Sequence, residues 1–179
     1  MGDIPEELTI CGSEEQLEGC CGKIVICEKN PRNKKSGVLY LLPRNLYVGM
    51  GCKKGTKKEI LEAELLKTLE KHGFLPEQIR ALGSIDLKRE EDGLLELADS
   101  LGVEFLTYSA ESLQEISAVS SSSEFVRGVT GVDNVCERAA KKMCPEGVMV
   151  QEKVCLNQCT AAVVCGEVMV RFGKEEEER

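Results

Sequence analysis

The sequence predicts an α/β fold: a layered, mixed and largely parallel β-sheet flanked by helices, in a single domain. Three observations predict it. Strand-like and helix-like segments alternate from Leu46 to Met143, the pattern of βαβ units. Two strand-like runs close the chain with no helix between them, so part of the sheet is expected to be antiparallel. The 179 residues suffice for one well-buried domain with a short appendage.

Taken in order, residues 1–22 (MGDIPEELTICGSEEQLEGCCG) are acidic, glycine-punctuated and without a long period, as in a loosely docked leader. Residues 23–45 read as a linker with one or two strands: KIVIC as a buried strand, NPRNKKSG as a turn-rich loop, and VLYLL, ended by Pro43, as a second strand. The main domain is expected over residues 46–173 and opens with LYVGM as a strand. The first helix starts at Thr56, where Thr56-Lys57-Lys58-Glu59 has the form of a capping box. Ile60, Leu61, Leu65, Leu66 and Leu69 continue it as an apolar stripe, and Gly73 supplies the stop. His72 falls in its last turn, where an imidazole favours the negative end of the helix dipole.

Beyond that helix, IRALGSID (79–86) reads as a strand, GLLELADSLG (93–102) as an amphipathic helix and VEFLTY (103–108) as a strand. SAESLQEI (109–116) is helical with Ser109 as N-cap, and the serine run SAVSSSSEF is a connector. DNVCERAAKKM (133–143) is helical with Asp133 as cap, and GVMVQEKV and TAAVVCGEVMVRF are strands. The tail KEEEER (174–179) is a solvated charge run expected to be disordered.

Charge narrows the function. With 23 Lys+Arg against 31 Asp+Glu the chain carries a formal −8, which argues against a general nucleic-acid binder. No apolar run approaches the roughly 20 residues that cross a bilayer, and the acidic amino terminus lacks a signal-peptide pattern. A soluble cytoplasmic protein is expected. Its ten cysteines contain no Cys-x-x-Cys pair, and the sole histidine is His72. Reduced structural thiols are therefore favoured over a metal centre, with Cys11, Cys20 and Cys21 the least settled.

In α/β sheets, ligands bind at the carboxyl ends of strands. Three polar loops precede helices here: GMGCKKGT (49–56), SIDLKREEDG (84–93) and VTGVDNVCE (129–137). Parallel strands would open all three at one edge. The first loop fails the Walker pattern, because its lysines precede Gly55, and its Gly49-x-Gly51-x-x-x-Gly55 spacing is one residue too long for a dinucleotide fingerprint. Glycines, a helix start, Lys53 and Lys54 still suit an anion, and the same field is expected to lower the Cys52 thiol pKa. Cys52 is thus a candidate nucleophile, although no histidine stands ready to deprotonate it. The second loop offers Asp86, Lys88, Glu90 and Glu91 for acid/base work, or simply as a favourable helix start. The third, with Thr130, Gly131 and Asp133, is commonplace by itself.

In combination the loops are more specific. VGMGCKKGT, then SIDLKREEDGLLELADSLGV, then FVRGVTGVDNVCERAA resemble the carboxyl-terminal domain of the cobalamin-biosynthesis protein CbiG, which occurs alone as CobE. The similarity covers about residues 46–165 and extends more weakly through KIVIC and LYLLPRNL. Matching positions are Gly49, Gly51, Cys52, Lys53 and Gly55, then Asp86, Lys88, Glu91 and Gly93, then Gly131, Val132, Val135 and Glu137. Ser84 stands where threonine is usual, Lys53 and Lys54 where arginine is frequent, and Asp92 where proline is frequent.

The resemblance implies corrin-ring biosynthesis: hydrolysis of the δ-lactone of cobalt-precorrin-5A with release of acetaldehyde. The amino-terminal CbiG domain is expected to be absent, or reduced to the leader, so the chain would act alone or with a separate chain supplying that domain. The alternative is a CobE-like module that binds or carries the intermediate without catalysis. Either way the substrate's carboxylates would meet Lys53, Lys54, Lys88 and helix-start N–H groups, with Thr56, Thr130, Gly131 and Val132 among the contacts. Asp86 or Glu91 is the first choice of base and Glu137 the second, and the Gly49–Gly55 turn would receive the oxyanion. Cobalt comes with the substrate, so no protein cofactor or metal ligand is implied. Other corrin-pathway enzymes and a second copy of the chain are further possible partners.

Overall fold

The computed structural model describes residues 9–13, 16, 19–116 and 133–170. Thr130, Gly131, Val132, the serine run and the acidic tail lie outside the described residues.

Two short strands come first, β1 (Lys23–Ile26) and β2 (Val38–Leu41), paired in parallel as a ribbon of their own. KIVIC is therefore not a buried strand: alternate residues of the ribbon are exposed. The principal sheet has five strands, β3 (Leu46–Cys52), β4 (Ile79–Ile85), β5 (Glu104–Tyr108), β6 (Val148–Cys155) and β7 (Cys159–Cys165). Their spatial order is β5-β4-β3-β7-β6. Strands β3, β4 and β5 run in parallel, whereas β7 is antiparallel to both β3 and β6. The sheet is thus mixed, as the helix-less closing strands predict. β7 ends at Cys165, short of the strand expected to residue 172.

Helices cover both faces. On one, Leu46, Val48 and Met50 of β3 and Ala161 and Val163 of β7 pack under helix α1 (Lys58–Lys71) and helix α2 (Asp92–Leu101). Leu61, Leu65 and Leu69 form the buried stripe of α1, while Leu66 turns outward and is 40 % exposed. Beyond Gly73, at φ +76°, Phe74 N–H bonds back to Leu69 O and Gly73 N–H to Glu70 O, closing the helix in a Schellman turn. His72 caps this end and its Nε2 lies 2.7 Å from Gln151 Oε1.

On the other face, α4 (Val135–Met143) packs on the sheet and the short α3 (Ala110–Gln114) packs against α4. Helix α4 approaches so closely that a Cβ on Gly49 would sit 1.8 Å from Cys136 O, and one on Gly83 2.7 Å from Met143 Cε. Gly49 is a packing residue in the middle of a strand that is paired on both sides, so its N–H is not part of an open turn. The caps differ too. Thr56 donates its hydroxyl to Lys53 O rather than opening α1, whose N-cap is Lys57 without a side-chain cap bond. At α4 the cap is Asn134, not Asp133. It adopts the left-handed conformation that asparagine tolerates, and its side chain accepts from Glu137 N–H. Asp133 instead pairs with Arg138 at 2.6 Å. Ser109 caps α3 as expected, accepting from Ser112 N–H.

Candidate functional site

Because β3 and β4 are parallel neighbours, the loops that leave Cys52 and Ile85 share one edge of the sheet. The antiparallel hairpin of β6 and β7 turns at that same edge, since Cys52 pairs with Cys159. A cavity of about 730 Å³ lies among them. Gly51 to Lys54 form one wall, and Ser84, Ile85, Leu87, Lys88, Glu90 and Glu91 a second. The hairpin supplies a third, including Lys153, Leu156 and Thr160, and Val135 brings the first turn of α4 to it.

Four lysines border this space, Lys53, Lys54, Lys88 and Lys153, against two carboxylates, Glu90 and Glu91. The chain is −8 overall, yet this cavity has a local excess of positive charge. Leu87, 66 % exposed, and the half-buried Leu156 add apolar surface.

Glu91 organises the site. It is buried, its Oε1 accepts from Gly55 N–H at 2.5 Å, and its Oε2 takes Lys88 Nζ at 2.7 Å. Burial pushes its pKa up, but the Lys88 hydrogen bond, the Gly55 N–H and the charges of Lys88 and Lys54 outweigh that, and the net shift is downward. A carboxylate held this way is a weak base with both oxygens occupied. It fastens the Gly55 turn to the Lys88 ammonium. Gly93 completes the junction, because a Cβ there would lie 2.1 Å from Thr56 O.

Cys52 departs from expectation: burial raises its thiol pKa, and the opposing effects of Lys88 and Thr56 do not compensate. The thiol stays protonated at neutral pH, which removes the physical basis for expecting an activated nucleophile there. The Gly49–Gly55 stretch is likewise not a free donor loop. Lys53 N–H bonds to Gln158 O, Gly55 N–H to Glu91 and Thr56 N–H to Lys53 O.

Asp86 and Glu137 do not line the cavity. Asp86 pairs with the exposed Arg89 at 2.8 Å. Glu137 is buried in the first turn of α4, where its Oε1 accepts Lys153 N–H at 2.6 Å and pins the helix to β6. Lys53, Lys54, Lys88, Cys52, Gly51 and Glu91 do converge. Sequence reasoning missed the hairpin residues Lys153, Asn157, Gln158 and Thr160. Two adjacent strand-like runs separated by a few polar residues signal such a hairpin, but nothing local says that it returns to the ligand edge. Among the described residues no helix is long and apolar enough to cross a membrane.

Comparison with known proteins agrees with this architecture. Residues 46–164 match the family described as cobalamin synthesis G C-terminus. A Priestia megaterium protein named cobalt-precorrin-5A hydrolase is 42 % identical over 106 residues, 59 % of this chain but 28 % of the relative. The chain thus spans little more than a quarter of that relative's length. The solved structure of CobE, a protein from the cobalamin (vitamin B12) biosynthetic pathway, superposes with a TM-score of 0.64 at 28 % identity, over 67 % of this chain and 92 % of CobE. A cobalamin biosynthesis protein G homologue from Sulfolobus solfataricus superposes at 0.56 with 22 % identity, over 92 % of this chain and 47 % of the homologue. With the family region spanning most of the chain and the principal sheet built from it, the chain belongs to the cobalamin synthesis G C-terminal family and is a CbiG-like protein of cobalamin biosynthesis.

Proposed function

We propose that the cavity receives the carboxylate-bearing macrocycle of a cobalt-precorrin. In this reading the chain takes part in opening the δ-lactone of cobalt-precorrin-5A, together with a further domain of the kind its longer relatives carry. The observation that carries the reading is the ring of Lys53, Lys54, Lys88 and Lys153, drawn from three separate segments around one space in an acidic chain. Each ammonium offers a charge-assisted hydrogen bond to an acetate or propionate group. Leu87 and Leu156 supply apolar contact for the flat ring.

Within this chain the roles divide by geometry. Glu91 positions Lys88 and the Gly55 turn. Glu90, exposed and lining the cavity, is the carboxylate left to take a proton from water. The cobalt arrives with the substrate, and the reaction is placed in the cytoplasm. The second reading is a carrier module without turnover; the CobE superposition, which uses nearly the whole of that shorter protein, supports a domain that stands by itself.

Turnover separates the two. Cobalt-precorrin-5A incubated with the chain, alone and with the additional hydrolase polypeptide, is expected to yield acetaldehyde in the second case. Tight binding with no acetaldehyde in either leaves the carrier role. Glu90→Gln is expected to lower turnover at least about 100-fold, the typical contribution of a general base. An unchanged rate assigns the base to the other domain.

A further inference from the structure

The β1–β2 ribbon is structurally incomplete. Parallel sheets occur almost only with both faces covered, and two strands alone are marginal in water. Its register sets Ile24 beside Leu39 and Ile26 beside Leu41 on one face. These four aliphatic side chains are 56 %, 56 %, 44 % and 43 % exposed respectively. The opposite face, with Val25, Val38 and Tyr40, is half-buried. The ribbon is held to the main body through its following loop: Asn30 N–H bonds to Gly73 O, Gln78 Nε2–H to Glu28 O, and Lys29 Nζ lies 5.8 Å from the Phe74 ring centre.

The superpositions indicate what covers it. Residues 46–179 are 134 of 179, about 75 % of the chain, so a 92 % match to the Sulfolobus homologue must include polypeptide before Leu46. The CobE match, 67 % of this chain, has the size of the family region alone and leaves little of CobE to build a ribbon. The ribbon therefore goes with the longer fold, more than half of which lies outside the match, and not with the short one.

We infer that the Ile24, Ile26, Leu39 and Leu41 face is the docking surface for the polypeptide that longer relatives carry beyond this chain's match. This rests on the reading that the chain works with such a domain. The partner presents a complementary apolar face, and docking it sets the second domain's position relative to the lysine-lined cavity.

The test co-expresses the full chain with the part of the Priestia megaterium hydrolase that lies outside both the match and the segment equivalent to the β1–β2 ribbon. A complex of one copy each is expected. Ile24→Lys with Leu39→Lys should weaken it at least about 10-fold while leaving the chain's melting temperature within a few degrees. The milder Ile26→Ser with Leu41→Ser should weaken it less, and serves if the lysine pair unfolds the ribbon. No complex, or one indifferent to both variants, overturns the proposal. So does self-association of the chain alone that the same variants abolish, which would make a second copy the occupant. A ribbon-dependent complex that releases no acetaldehyde refutes the activity and leaves the docking surface standing. Acetaldehyde release unaffected by the ribbon variants does the reverse.

Discussion

At the residue scale, single side chains in this protein hold loops rather than act alone. Glu91 joins the ends of two strands through Gly55 and Lys88. Its carboxyl is shifted downward in the fold, so the stability it contributes is present above the ordinary carboxylate range. That stability is lost as pH falls through the lower folded value. Acid titration of the wild type is therefore expected to show a stability decline that Glu91→Gln lacks. At neutral pH the same variant should be less stable by about 1.5–3 kcal/mol, the contribution of hydrogen bonds to a charged group. Coincident acid limbs in urea melts of the two proteins would contradict the assignment. Gly49 is equally specific. Its missing Cβ admits the backbone of α4, and backbone cannot rotate away as a side chain can. Gly49→Ala should cost about 3 kcal/mol or more, the upper end of overpacking penalties, measured by chemical denaturation.

At the element scale, the pairing of β3 with β7 makes a prediction that composition cannot. Lys53 N–H bonds to Gln158 O, so the adjacent pair, Cys52 and Cys159, sits at a non-hydrogen-bonded position of the ladder. Opposed Cα atoms there are about 4.5 Å apart, within the span of roughly 4.4–6.8 Å that a disulfide bridges. Both thiols are pushed up by burial, Cys159 to about 11. Treatment with diamide, which accepts the two electrons and two protons released, is expected to join these two cysteines. The reaction should quicken as pH rises and thiolate forms. Peptide mapping checks it, and a link from either to Cys155 would contradict the register.

At the scale of the whole molecule, charge is distributed against its average. A chain of net −8 gathers four lysines around one cavity, at the edge where β3 and β4 end. Binding of a polycarboxylate macrocycle should weaken as salt rises, because exposed charges are screened beyond about 8 Å at physiological ionic strength. Replacing Lys53, Lys54, Lys88 or Lys153 with Ala should each weaken it roughly 10-fold, as the loss of one charge-assisted hydrogen bond implies. Calorimetric titration across a salt series reads both effects, and salt-independent affinity would move the ligand elsewhere.

Much of this was legible in the residues alone. Alternating periodicities, the Gly73 stop and the helix-less closing strands specify an α/β layer with a mixed sheet, because each is a local property of the chain. Three ordered loop motifs identify the family for the same reason. Local pattern could not tell whether Gly49 frees a turn or admits a helix, whether Thr56 or Lys57 caps, or whether Cys52 is activated or suppressed. Nor could it bring Lys153 to the lysine ring, or move Asp86 and Glu137 out of the cavity wall. Those outcomes depend on what lies across the sheet at long sequence separation, which only tertiary packing decides. Burial and hydrogen-bond partners, not residue type, set the pKa and availability of each group.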